Sequence, residues 1–383
     1  MRSSASTVII GGGIQGLSVA FNLALRGERN IRVLDAGYFQ GGASGRNGTL
    51  IRGGFGSQAW TGLFAHSNRL WAKLSATLGE NVMFTPRGYM IVAQSEATFD
   101  RMAGMQHLHR ENGLDSRVLS AHEVKALEPA INEKVVRGAV YLTEGGVAPH
   151  HAAMRGYLAA SRAVGVMVDY QRPVTGIETT GGNISKIIAG TEEIACEKAV
   201  LAAGAYCGEV GALAGIDVPG FPMRIEAMAL DPVRPILKSA IALPDRLCYL
   251  HQTARGEIVG GAEVAEAPQV TLKSDLPALA ATAHAYAEVF PCFGSLRILR
   301  QWAGMLHATP DWGPMIGPHP DIGNLWLSAG WSYGFAGAPA AGDLLAESMV
   351  SGRLDARLVP FAVDRFRRNQ PVAESAIVLA PNP

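Results

Sequence analysis

Along this chain, short unbroken apolar runs alternate with stretches in which apolar side chains return every three or four residues. TVII (7–10) is a β-branched run, Leu17, Phe21, Leu23 and Leu25 follow at helical spacing, and IRVLD (31–35) is a second run. Continuous apolar runs mark buried strands and 3.6-residue periods mark amphipathic helices, so the opening predicts strand, helix, strand. Leu63, Phe64, Leu70, Trp71 and Leu74 then predict a second helix, which Ser57 caps. From Val82 to about Tyr141, alternating strands and helices carry several charges and read as a more exposed α+β module. Residues 168–206 read as a β-meander ending in the buried strand KAVLAAG, with Gly181, Gly182 and Asn183 as its hairpin turn. Strands CYLHQT and EIVGG and the helix LPALAATAHAYAEVF follow. The C-terminal LWLSAGWSYGFAGAPAAG reads as strand, glycine turn and a helix opening near Ala338. Nucleotide-type pieces thus fall in three separated blocks, which predicts two interwoven domains.

Composition narrows the function. The 383 residues are 48% apolar, enough for substantial cores, and 33 basic side chains balance 33 acidic ones. With no net charge and no block of like charge, nucleic acid and anionic membrane surfaces are poor partners, and a small-molecule substrate is expected. Cys196, Cys207, Cys248 and Cys292 are scattered, without disulfide or metal-ligand spacing, so no metal is expected. MRSSAS leads straight into TVII, leaving no room for a signal peptide, and no apolar run reaches spanning length; the expectation is a cytoplasmic protein.

Gly11, Gly13 and Gly16 fit G-x-G-x-x-G between strand and helix, and Asp35 follows the third glycine by about 20 residues. Such glycines allow a tight turn and close backbone approach, the helix aims free N–H groups at a pyrophosphate, and the acid accepts from a ribose hydroxyl. A purely structural glycine turn is the alternative. Just downstream lies GGASGRNGTLIRGGFG (41–56), which holds hardly an apolar side chain before Leu50 and Ile51.

This fingerprint, Asn47, Thr49, Ile51 and Arg52 in N-x-T-x-I-R, the strand AVLAAGAY, LRQWAG followed by TPD, and the closing LSAGWSYGF occur in an order that spans nearly the whole chain. The sequence resembles the D-amino-acid oxidase and sarcosine oxidase group of FAD-dependent amine oxidoreductases. Within it, RNGTLIR, FTPRGYM, QTARGEIVGGAE and RILRQWAG are most similar to β subunits of heterotetrameric sarcosine oxidase and dye-linked proline dehydrogenase. The resemblance implies an α/β plus α+β fold: a Rossmann-type FAD-binding domain (1–84, 142–219 and 306–383) interwoven with an antiparallel-sheet substrate domain (85–141 and 220–305), the glutathione-reductase-like or D-amino-acid oxidase-like arrangement. It also implies other subunits of a heteromeric complex as partners.

On that resemblance, FAD contacts fall on Gly11, Gly13, Ile14, Gln15, Gly16, Asp35 and Ala36. Gly42, Ser44, Arg46, Asn47, Gly48 and Thr49 continue them in the glycine-rich stretch, with Val174, Ala203 and Gly204 in the middle block. Gly304, Gly330, Tyr333, Gly334, Phe335 and Ala336 complete them. Arg52 is expected to hold a substrate carboxylate through its planar fork, the alternative being a salt bridge at the domain boundary. Tyr249 faces the substrate or merely packs; His307 and His251 either border the site or are structural, neither having a partner nearby in sequence.

Departures from the family pattern matter too. Gly304 stands where monomeric sarcosine oxidases attach FAD through cysteine, implying non-covalent FAD. Ile258 aligns with a roof-strand lysine that speeds reaction with oxygen, implying a dehydrogenase. Ala336 replaces a second lysine, implying a carboxylate held differently. Ala152 occupies the position at which a histidine of the heterotetrameric type attaches FMN, which argues against a covalent link. The neighbouring His150 and His151 either enter the following helix or border FMN held non-covalently at a subunit interface. The expected reaction is oxidation of a secondary or cyclic amino acid by hydride transfer to flavin N5. Competing readings are a stand-alone D-amino-acid or glycine oxidase using oxygen, and a flavin-binding assembly subunit without turnover.

Overall fold

A computed structural model describes residues 2–263, 270–372 and 374. Of the two domain spans expected from sequence, residues 1, 264–269, 373 and 375–383 lie outside the described residues.

Two eight-stranded sheets face one another across a cavity. In the first, the strands run Met315–Pro318, Leu325–Ala329, Glu192–Leu201, Arg2–Ile10, Ile31–Leu34 and Met167–Asp169, with the hairpin Val174–Thr180 and Asn183–Ala189 joined to Glu192–Leu201. Its centre is parallel, Ile10 aligning with Leu201 on one side and Leu34 on the other. The apolar runs explain this: the strands are covered on both faces, by the long helices on one and by the 174–189 hairpin and Cys207 on the other, and need no polar side. Gly181 and Gly182 both take positive φ, +58° and +77°, as the two-residue hairpin requires.

In the second sheet the order is Ile298–Ala308, Phe221–Leu230, Ile258–Glu263, Cys248–Gln252, Ala240–Leu243, Tyr89–Ala93, Gly138–Leu142 and Ser116–Ser120. Its pairs are antiparallel except Ala240–Leu243 against Tyr89–Ala93, which is parallel. A two-stranded ladder, Leu50–Ile51 with Gly146–Val147, lies between the sheets. It ties the glycine-rich stretch, just before the helix Gln58–Leu78, to residues 146–147.

Helices Ile14–Leu25, Gln58–Leu78 and Gly334–Ser351 pack into one core with the first sheet, through Leu17, Phe21, Phe64, Trp71 and Leu345. Ser57 caps the long helix by accepting from Trp60 N. The C-terminal helix begins at Gly334, four residues before the position expected from its apolar pattern. Its interior proline, Pro339, forgoes one backbone bond in the second turn. Among the described residues no helix is long and apolar enough to cross a membrane.

Candidate active site

The cavity between the sheets has a volume of about 670 Å³, within the range of sites that enclose small ligands. At one end lies the turn after Arg2–Ile10. Gly11 has φ +116°, and a Cβ there would stand 2.2 Å from Ala202 O; a Cβ on Gly16 would stand 1.9 Å from Gly11 O. Gly11, Gly13, Ile14 and Gln15 border the cavity, but Gly16 does not. Its lack of a Cβ lets the helix close on the strand behind the turn.

Asp35 Oδ2 accepts from Gly12 N at 2.7 Å and Oδ1 from Gly37 N at 2.8 Å. The Tyr170 hydroxyl donates to Gly12 O at 3.0 Å, and Ser44 Oγ accepts from Ile14 N at 3.0 Å. The N–H groups of Gly12 and Ile14 and the carbonyl of Gly12 are therefore tied by neighbouring side chains. Gln15 crosses to the far block: its Nε2 donates to Gly334 O at 2.6 Å and its Oε1 accepts from Ser328 Oγ at 2.9 Å. The first and last thirds of the chain meet there.

The glycine-rich stretch forms the wall between the two ends. Arg46 donates to Gly41 O at 3.1 Å and Ala303 O at 3.3 Å, and Trp302 Nε1 donates to Arg46 O at 3.0 Å, which fastens the stretch to the Ile298–Ala308 strand. Asn47 ties Ser44 O to Thr49 N. Gly48 leaves room for the Tyr249 ring, since a Cβ would fall 2.0 Å from Tyr249 Cε2. Thus Tyr249 does lie on the cavity wall, with its ring against the chain.

Arg52 is 3% exposed. Its guanidinium carbon lies 4.0 Å from the Phe55 ring centre, 4.7 Å from Tyr333 and 5.6 Å from Tyr89, and Nε and Nη2 have no hydrogen-bond partner. Among the described residues it makes no ion pair, so the salt-bridge alternative is not what the fold builds. Aromatic faces attract the cation but do not use its N–H groups, so the fork stays available in the cavity wall.

His307 also borders the cavity, 2% exposed, with both ring nitrogens unpaired. Burial lowers its pKa to about 4, and the ring is neutral near pH 7. His251, for which the sequence offers no nearby partner, has one 202 residues away: Thr49 Oγ1 lies 2.9 Å from its Nε2. Burial lowers His251 to about 4 as well. His150 and His151 stand edge to face 5.8 Å apart and do not border the cavity.

Ala36, Gly42, Val174, Ala203, Gly204, Gly304, Gly330, Phe335 and Ala336 all border it. Since the last helix opens at Gly334, the N–H groups of its first turn lie at the wall. Ile258 is fully buried in the core on the other side of its sheet and does not border the cavity, so its identity says nothing about oxygen there. No lysine borders the cavity among the described residues. Sequence reasoning misses Tyr170 and Tyr89, whose positions no local pattern marks; only the packing of the 167–173 segment and the second sheet brings them in. Among the described residues, no group of three or more His, Cys, Asp or Glu is placed to hold a metal ion.

The site fits a dinucleotide flavin on two structural counts: a glycine turn that brings the backbone of residues 11–13 to the cavity wall, and buried polar groups left open farther along the same cavity. Comparison with known proteins agrees. The model of the family described as FAD dependent oxidoreductase matches residues 6–348. The chain is 28% identical to a sarcosine oxidase subunit beta of Rhodobacter capsulatus over 374 residues, covering 96% of this chain and 90% of that one. The L-proline dehydrogenase structure from P. horikoshii superposes with a TM-score of 0.93 at 25% identity, covering 97% of this chain and all of that chain. Glycine oxidase from Geobacillus kaustophilus shares the fold, with a TM-score of 0.85 at 22% identity over 95% and 99% of the two chains.

Proposed function

The chain belongs to the FAD-dependent oxidoreductase family, as an FAD-dependent amino-acid oxidoreductase, and from that premise we propose that it oxidises a secondary or cyclic amino acid, such as proline, hydroxyproline or an N-alkyl amino acid, to its imine. The observation that carries this is Arg52: a buried guanidinium without an ion pair, clasped by Phe55 and Tyr333, in the wall of the cavity. A buried charge left unpaired costs on the order of several kcal/mol, and a carboxylate from the ligand offsets that cost.

FAD, when bound, supplies the hydride acceptor at flavin N5, and the imine that leaves is hydrolysed by water. The protein's part is positioning. Arg52 holds the carboxylate in a bidentate grip, while Leu50, Tyr89, Ala242 and Tyr249 offer apolar surface for a ring or N-alkyl group. His307, being neutral, is able to donate or accept one hydrogen bond without adding charge. The first-turn N–H groups of the Gly334–Ser351 helix place a positive helix end at the wall, suited to negative charge developing on the reduced ring.

We assign 1–84, 142–219 and 306–383 to the FAD domain and 85–141 and 220–305 to the substrate domain. The lining offers one cysteine, Cys248, on a strand three places from Gly304's in the sheet, which supports non-covalent FAD. The chain acts as a catalytic β-type subunit of a heteromeric dehydrogenase in this reading, supported by its full-length similarity to proteins named sarcosine oxidase subunit beta. FMN held non-covalently at a subunit interface is part of that assembly, and the absence of lysine from the described lining supports electron transfer onward in place of rapid reaction with oxygen.

The test is anaerobic flavin reduction screened across proline, hydroxyproline, sarcosine, opines and D-amino acids. Bleaching by the secondary amino acids is expected. Bleaching by D-amino acids or glycine alone, with peroxide formed by the single chain as fast as substrate disappears, would establish the oxygen-using oxidase instead.

A further inference from the structure

Thr49 stands in a conformation that threonine avoids. Its φ is +63°, in the left-handed region where β-branched residues are outliers that persist only when their surroundings hold them. Three contacts hold it there. Its amide donates to Asn47 Oδ1 at 2.7 Å, its carbonyl accepts from Ala148 N at 3.0 Å, and its hydroxyl meets His251 Nε2 at 2.9 Å. Glycine or asparagine would satisfy the backbone with less strain. What threonine adds at this position, on the cavity wall three residues before Arg52, is a hydroxyl.

The opposing strand is arranged to address it. Tyr249 and His251 are two residues apart and so share one face of Cys248–Gln252. That face covers the 48–49 turn: Tyr249 lies against Gly48, and His251 meets Thr49. His251 is 4% exposed and neutral, so it is not a store for a substrate proton. A neutral imidazole with its proton on Nδ1 accepts the Thr49 O–H, which fixes the hydroxyl rotor and leaves the oxygen lone pairs free to accept from another donor.

We propose that the Thr49 oxygen, oriented by His251, accepts the N–H of the substrate's neutral amine while Arg52 holds its carboxylate. The inference rests on the amino-acid oxidation reading above and deepens it. A neutral secondary amine has one N–H and one lone pair. With the N–H and the carboxylate both held, the lone pair is fixed relative to the α C–H bond, the alignment that C=N formation needs. His251 acts through Thr49 and is a positioning residue. A tertiary amine has no N–H to offer, so the site selects secondary over N,N-dialkyl amino acids.

The test uses two planar acids of one shape, titrated into the FAD-loaded protein and followed by the visible flavin spectrum. Pyrrole-2-carboxylate carries N–H where furan-2-carboxylate carries oxygen. The wild type is expected to bind the pyrrole acid about 10-fold more tightly. Thr49→Ser retains that preference, Thr49→Val, similar in shape without the hydroxyl, levels the two acids, and His251→Leu shrinks the preference. The double variant Thr49→Val/His251→Leu loses no more than Thr49→Val alone, because one residue acts through the other. Equal binding of the two acids by the wild type, or a preference kept in Thr49→Val, overturns the proposal. Should Thr49→Val fail to retain FAD, the wild-type ratio and His251→Leu still decide. If the wild type binds neither acid, the amino-acid reading itself fails, and this inference with it.

Discussion

The two ends of the cavity are built on opposite principles. At the dinucleotide end, backbone runs against backbone, and Asp35, Tyr170 and Ser44 already bond the turn's polar groups. At the other end, Arg52 and His307 are buried with polar atoms unpaired, and Thr49 is held in a strained conformation. At the first end the N–H groups of Gly12 and Ile14 and the carbonyl of Gly12 are already held, and the backbone gives the wall its shape. The second carries a deficit that a ligand relieves, which is how a reactive site gains specificity while losing stability.

The contrast breaks most severely at Gly16. A methyl there would meet Gly11 O at 1.9 Å, so Gly16→Ala should leave a chain that purifies without FAD or fails to fold, as read by the flavin-to-protein absorbance ratio. Gly62→Ala is its control. That glycine lies inside the Gln58–Leu78 helix, the nearest atom to a new Cβ is Asn112 Oδ1 at 3.7 Å, and FAD content should be unchanged.

Arg52 sharpens the comparison next. Arg52→Lys should raise KM about 100-fold with FAD still bound, since a point charge replaces a fork; loss of FAD would place Arg52 at the cofactor instead. Arg52→Met should abolish carboxylate binding yet raise the Tm by a few degrees, about 1–2 kcal/mol, because a buried unpaired charge is removed. A lower Tm would show that the deficit does not exist.

Acid supplies a smaller test. His307 and His251 have folded pKa values lowered to about 4, below the unfolded value of about 6.5. Between those values the unfolded chain binds more protons, so the stability they contribute is full above pH ~6.5 and is lost as pH falls toward 4. Each contributes at most roughly 3 kcal/mol. His307→Leu should flatten the fall of Tm across that window, and an unchanged slope would mean that His307 titrates normally.

How far the chain can be read from sequence follows the same division. The opening strand, helix and strand, the Ser57 cap and the Gly181–Gly182 hairpin depend on contacts within a few residues, and periodicity or turn chemistry reveals them. Where a local pattern is ambiguous the reading slips. The apolar stretch around Ala338 hides a helix start at Gly334, because Gly334 and Gly337 look like turn residues until Trp331 packs against them. Ile258 aligns with a position at the flavin roof, whereas the alternation of its strand turns it into the core.

The family, the fold class and the glycine turn at the cavity wall are legible in the amino-acid order, since spacing along the chain encodes turns, caps and strand faces. Which polar groups stay unpaired and which meet is settled by tertiary packing: Arg52 between Phe55 and Tyr333, Gly48 under Tyr249, and Thr49 beside His251. Those pairings join residues up to hundreds of positions apart. Sheet register and the chain's crossings between the two large sheets set them, and neither is a property of any local stretch.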